Sequence, residues 1–146
     1  MRSTPQSCCT LSPHILLIDD NPLDRELTEL ALLEVAPGSS LTLAESGIQA
    51  MQLLWAGLRT DLILLDVNMP GMHGFDVLQA LRADTSLNHI PVVMLSTSGA
   101  ERDRAQAQAL EVDGYMVKAS RFEAYVQQML GLMRWYHAAA PLQTLA

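Results

Sequence analysis

Short apolar runs alternate with helical stretches along the whole length of this chain. "HILLI", "LILL" and "PVVML" are apolar or nearly so at every position, and "SLTLA" and "GYMV" are shorter variations on the same theme. A strand with no polar face cannot lie with one side in water, so these runs belong to a sheet covered on both faces. Strict strand–helix alternation with connections of a few residues implies a parallel sheet between two helical layers. The pattern predicts five strands and five helices. In the first helix Asn21 is placed to cap, Pro22 suits the first position and Gly38 the close, with Leu27, Leu30, Ala31 and Val35 as the buried stripe. Ile48, Met51 and Trp55 form the expected stripe of the second helix, and Phe75, Leu78 and Leu81 that of the third. "AERDRAQAQALE" has only a thin apolar face, and "RFEAYVQQMLGLMRWYH" closes the pattern.

Composition limits what such a fold can do. A chain of 146 residues, 49% apolar and 17% charged, is one domain with a core of its own. The formal charge of −7, with no cluster of lysine and arginine, excludes a nucleic-acid surface. Cys8 and Cys9 are adjacent and have no other cysteine to pair with, which fits a reducing, cytoplasmic setting. The first residues lack the apolar core of a signal peptide, and no run is long enough to span a bilayer. The expected boundaries are a tail over 1–13, a domain over 14–137 and a second tail over 138–146.

In open parallel sheets, ligands bind outside the carboxyl ends of the strands, where strand order reverses. Here those ends read Asp19-Asp20, Glu45, Asp66, Ser96 and Lys118. Singly, each has an ordinary explanation: a helix cap, a strand stop before Pro70-Gly71, a loop serine, a solvated lysine. Together they do not, because aspartates gathered at one edge repel one another unless a cation sits among them. Mg²⁺ is suited to such oxygen donors, a lysine to phosphoryl oxygens, and a serine hydroxyl to hydrogen-bonding the same group. The set describes a self-phosphorylating aspartate, since phosphoryl transfer chiefly needs positioning and charge neutralisation.

"ILLIDDNP", "LILLDVNMPGMHGFDVL", "IPVVMLSTSG" and "GYMVKAS" resemble the receiver domain of bacterial two-component response regulators, from about Ile15 to Met133. The resemblance implies a flavodoxin-like, doubly wound (βα)5 fold. It also implies Asp66 as phosphoacceptor, Asp20 as a direct Mg²⁺ ligand, Asp19 as the outer acid and Asn68 as donor of a backbone carbonyl to the metal. Ser96 matches the hydroxyl that follows the phosphoryl group, Lys118 its cationic partner, and Tyr115 the switch aromatic. Such a protein accepts phosphate from a sensor histidine kinase and catalyses only its own phosphorylation and dephosphorylation. "MLSTS" and "LMRWYH" further resemble stand-alone receivers that partner phytochrome-type kinases. Asn68 and Ser98 flank the site and are expected to influence the lifetime of the phosphorylated state. Two residues depart from the family's pattern. Ala119 stands where a proline with a cis bond usually follows the lysine, and His73 occupies the turn after Asp66, with no second histidine to share a metal.

No output domain is expected after the last helix, so output is expected through binding. Phe122, Val126, Met129 and Met133 form the stripe expected to pack on the sheet. Tyr125, Leu132 and Trp135, with Tyr136, form a second stripe expected to make a homodimer interface. The alternatives are a receiver fold kept for docking without phosphorylation, and a phosphatase with an aspartate nucleophile. The phosphatase needs an acid two residues after the nucleophile, where this chain has Asn68.

Overall fold

Strand and helix alternate throughout residues 13–97 and 99–138, the residues described in the computed structural model. The tails beyond them, with Cys8 and Cys9, lie outside the described residues, as does Ser98. In chain order the elements are β1 (His14–Ile18), α1 (Pro22–Val35), β2 (Ser40–Ala44), α2 (Gly47–Trp55), β3 (Leu62–Asp66), α3 (Gly74–Ala83), β4 (Val92–Ser96), α4 (Glu101–Ala109), β5 (Gly114–Val117) and α5 (Phe122–His137). The five strands are all parallel and lie in the order β2-β1-β3-β4-β5, the flavodoxin-like arrangement. Order reverses between β1 and β3, so a crevice opens where those two strands end.

The all-apolar strands divide their side chains between two cores, because successive residues point to opposite faces. Leu16, Ile18, Ile63, Leu65, Val92 and Met94 face one core, which α2, α3 and α4 help to fill. Ile15, Leu17, Leu62, Leu64, Val93 and Leu95 face the other, under α1 and α5. Each of these strand residues is fully buried. No helix among the described residues is long and apolar enough to cross a membrane.

The helices correct several of the expected stripes. Asn21 caps α1 as expected, its Oδ1 accepting from Leu23 N–H at 2.9 Å and Asp24 N–H at 3.1 Å. The helix stops at an Ala36 cap rather than at Gly38 and buries Thr28, Ala31 and Leu32, leaving Leu30 47% exposed. In α2 the inward residues are Gly47, Ala50, Met51 and Leu54, while Ile48 and Trp55 are exposed. Phe75, Leu78 and Leu81 of α3 are buried as expected. The fifth helix differs most. Tyr125 and Leu132, expected at an interface, are 5% and 0% exposed and pack with Met129 and Met133 into the core under α1. Tyr125 also shares a buried 2.7 Å hydrogen bond with the Thr28 hydroxyl of α1. Phe122, expected to pack on the sheet, is instead the exposed large apolar residue of that helix, and Trp135 and Tyr136 are half-buried against the same core.

The turn from β3 into α3 fixes the end of β3. His73 Nδ1 accepts from Phe75 N–H at 3.3 Å, and Asp76 accepts from His73 N–H at 3.1 Å, a reciprocal cap that gives His73 a structural task. Gly74 N–H donates to the Val67 carbonyl at 2.9 Å, and a Cβ on Gly74 would collide with the backbone of Asp66 and Val67. Gly131, in the middle of α5, has nothing near the place a Cβ would occupy. The two glycines should therefore respond with opposite sign. Gly74→Ala should destabilise by about 1–3 kcal/mol through overpacking, and Gly131→Ala should stabilise by about 0.5–1 kcal/mol through helix propensity. Urea denaturation of both variants checks the pair.

Candidate functional site

The crevice between β1 and β3 gathers the acids that end those strands. Asp19 and Asp20 follow β1, Asp66 closes β3, and carboxylate oxygens of all three lie within 4.8 Å of one another. Asp19 is fully buried and Asp66 is 8% exposed. Lys118 leaves the end of β5, and its long side chain reaches past β4 to the same place. Its Nζ lies 3.2 Å from Asp19, 3.3 Å from Asp24 and 3.6 Å from Asp66. Asp19 is held from the other side too, Oδ1 accepting from Asn21 N–H at 2.9 Å and its carbonyl accepting from the Arg25 guanidinium at 2.8 Å.

Burial dominates the electrostatics. It pushes the Asp66 carboxyl up to about 7; Lys118 opposes the rise, while Asp19 and Asp20 reinforce it. Burial also raises Asp19, against the Asn21 N–H bond and the Lys118 charge. For Lys118, burial alone would lower the ammonium, but Asp19, Asp66 and Asp24 outweigh it and hold the group above its ordinary range. The cluster is thus short of positive charge, with one ammonium facing four carboxylates. Its donors are hard carboxylate oxygens, a set that suits Mg²⁺ or a similar divalent cation.

Above the acids an open cleft of about 450 Å³ is lined by Asp20, Asn21, Pro22, Asp24, Asp66, Asn68 and Thr97. Asn68 is exposed at its rim. Ser96, the last residue of β4, is fully buried, with exposed Thr97 beyond it in the cleft. The Ser96 carbonyl accepts from Lys118 N–H at 2.7 Å, tying β4 to the base of the lysine. Tyr115 is half-buried on β5, with the Arg104 guanidinium of α4 5.1 Å from its ring centroid. Glu45 does not join the site: β2 is an edge strand, and Glu45 is exposed, with its N–H donating to Gln49. The Lys118–Ala119 bond is trans, as there is no cis peptide among the described residues.

Asp24 was not among the residues singled out from sequence. It lies in the first turn of α1, where an acid reads as favouring the positive end of the helix. Its distance from Nζ and its place in the cleft lining bring it into the site.

The chain matches the family model described as the response regulator receiver domain over residues 15–129. It is 40% identical over 125 residues to the transcriptional regulatory protein CpxR of Escherichia coli (strain K12), covering 84% of this chain and 50% of CpxR. It therefore spans about half the length of that curated relative. The phosphorylated cyanobacterial phytochrome response regulator RcpA superposes with a TM-score of 0.82 at 32% identity, over 90% of this chain and 98% of RcpA. The Mn²⁺-bound form of response regulator Rcp1 gives a TM-score of 0.79 at 28% identity, over 90% of this chain and 99% of Rcp1. With its sheet order, its acidic crevice and a family match over most of its length, the chain belongs to the response regulator receiver domain family.

Proposed function

We propose that this chain accepts a phosphoryl group from a sensor histidine kinase onto Asp66 and signals through phosphorylation-dependent protein contacts. The observation that carries this reading is Asp66 at the end of β3, next to Asp19 and Asp20 and with the Lys118 ammonium 3.6 Å away. In the transfer a P–O bond forms to an Asp66 carboxylate oxygen as the P–N bond to the donor imidazole breaks. The bonding pair stays on the imidazole nitrogen, which takes up a proton. Asp20, Asp66 and the Asn68 carbonyl would hold Mg²⁺, with Asp19 as outer acid, and the bound ion would supply positive charge for the phosphoryl oxygens. Lys118 turns from its carboxylates toward the same oxygens, and the Ser96 hydroxyl follows, with Tyr115 as the aromatic that responds. Asn21 and Arg25 hold Asp19 in place while this happens.

A phytochrome-type kinase is the proposed donor, supported by the likeness to RcpA, a phytochrome response regulator. With such a donor, a cytoplasmic setting beside the kinase domain is proposed. A homodimer is proposed through α5 and the elements beside it. Exposed Phe122 and half-buried Trp135 and Tyr136 support it, while Tyr125 and Leu132 are withdrawn to the core. A purified phytochrome-type kinase should transfer labelled phosphate to this chain faster than an unrelated histidine kinase does. Equal rates would remove the phytochrome assignment.

With acetyl phosphate and Mg²⁺, intact-mass measurement should show one phosphoryl group on the wild type and none on Asp66→Asn. An unlabelled wild type would favour a docking module instead. Light scattering on the same samples should show a dimer, and a monomer in both states would remove the dimer proposal.

The raised Asp66 carboxyl also predicts a pH dependence. The folded protein keeps that proton up to about pH 7, whereas the unfolded chain releases it near 3.8. The resulting stabilisation is complete below the lower value and is lost as pH rises through the upper one. With chelator present, wild-type stability should fall relative to Asp66→Asn between about pH 4 and 7, on the order of 1 kcal/mol per pH unit. Above that window the gap should stay constant. Mg²⁺, which binds ionised carboxylates, should restore much of the loss at neutral pH, and thermal melts across the range read both effects.

A further inference from the structure

Lys118 works at the end of a loop that α5 holds from behind. Gln128, half-buried on α5, accepts from Ala119 N–H through Oε1 at 2.9 Å and donates from Nε2 to the Val117 carbonyl at 2.7 Å. Its two partners are the residues on either side of Lys118. The lysine's own N–H donates to the Ser96 carbonyl at 2.7 Å. Three consecutive residues are therefore tied through their backbones, and the direction of the lysine side chain is set by groups outside its own loop. The carboxamide can make this pair of bonds in one orientation alone, since a flipped amide would set donor against donor and acceptor against acceptor.

The position of the loop matters because the lysine head works at short range. Nζ lies between 3.2 and 3.6 Å from three carboxylates, one after β1, one on α1 and one closing β3, so a shift of a few tenths of an ångström changes which one it favours. Ala119 leaves φ free and presents an N–H that needs a partner in a half-buried loop. A proline would fix φ through its ring and present no N–H. The Gln128 carboxamide supplies restraint and partner together.

We propose that Gln128 is a positioning residue for phosphoryl transfer at Asp66. Its carboxamide holds the Val117–Ala119 backbone so that Lys118 can meet the incoming phosphoryl group. Because the clamp stands on α5, whatever displaces that helix also displaces the lysine. The proposal rests on the phosphoacceptor reading of Asp66.

Gln128→Met keeps the length of the side chain and removes both bonds. Wild type, Gln128→Met, Ala119→Pro and the double variant are compared for phosphorylation rate at saturating acetyl phosphate and Mg²⁺, with Mg²⁺ affinity measured by calorimetry. Gln128→Met should slow phosphorylation about three- to tenfold, the rate equivalent of one to two net hydrogen bonds, with Mg²⁺ affinity unchanged. In the Ala119→Pro background, where the N–H is gone and the ring restrains the loop, the same substitution should have a much smaller effect. A wild-type rate for Gln128→Met, or an equal slowing in both backgrounds, overturns the proposal. Gln128→Glu decides the matter if either variant fails to fold: it still accepts from Ala119 but repels the Val117 carbonyl, so it should also be slow, and a wild-type rate overturns the clamp. A wild type that takes up no phosphate overturns the phosphoacceptor reading itself, whereas a labelled wild type with an equally fast Gln128→Met overturns only the clamp.

Discussion

One ammonium group holds together a set of carboxylates that would otherwise drive the strand ends apart. Lys118 lies within 3.6 Å of Asp19, Asp24 and Asp66, and Asp20 stands beside them. Like charges this close favour either proton uptake or a bound cation, and burial sharpens the choice by penalising every ionised form. Burial is the main cause of the raised Asp66 and Asp19 carboxyls, with neighbouring acids adding to it, and the same shortage of positive charge holds the lysine above its ordinary range. A site in that condition suits a divalent cation, whose charge would offset that of the carboxylates.

The fold produces this shortage through its topology. The central strands are apolar along their length because both faces are covered, so polar groups are pushed to the strand ends. The order β2-β1-β3-β4-β5 then sets the ends of β1 and β3 side by side and leaves the end of β2 outside, which is why Asp19, Asp20 and Asp66 meet and Glu45 does not. β5 lies two strands from β3, and a residue there can reach Asp66 only with a long side chain over the end of β4. Ser96 sits at that crossing, its carbonyl bonded to the lysine's N–H. Gly74 completes the frame from the far side by letting α3 start hard against the backbone of Asp66.

Much of this was legible in the residues, for physical reasons that also mark where legibility ends. "SLTLA" is β2 to the residue, and Asn21 caps α1, because strand polarity and helix caps are local matters. The acids at the strand ends were visible because they interrupt runs with almost nothing polar in them. Helix orientation was less visible. Periodicity shows which residues share a stripe, but α5 carries two apolar stripes about 100° apart, and only packing against α1 turns Tyr125 and Leu132 inward. In α2, which packs on β1, edge strand β2 and α3, the sheet covers only part of the helix, so Ile48 and Trp55 stay outside. Trp55 finds a surface partner instead, its indole N–H donating to Asp84 at 3.2 Å. The contributions of Asp24, His73 and Gln128 were hidden for another reason: an acid in a first turn, a histidine in a loop and a glutamine in a helix are each ordinary until their partners are known.

Ala119 shows how a departure in sequence changes the way a site is supported without emptying it. A proline after the lysine would restrain the loop through covalent geometry, locally and independently of the rest of the fold. Alanine gives up that restraint and gains an N–H, and the structure uses the N–H by carrying it to α5. A covalent restraint is indifferent to the position of neighbouring helices, whereas a hydrogen-bond clamp holds only while its helix stays in register. The same helix buries Tyr125 against Thr28 of α1, the element that presents Asp24 to Lys118. Through α5 and α1 together, the lysine is therefore coupled to the packing of one whole helical layer. A partner or second copy that binds at α5 would act on that layer directly, and so would have a short physical route to Lys118.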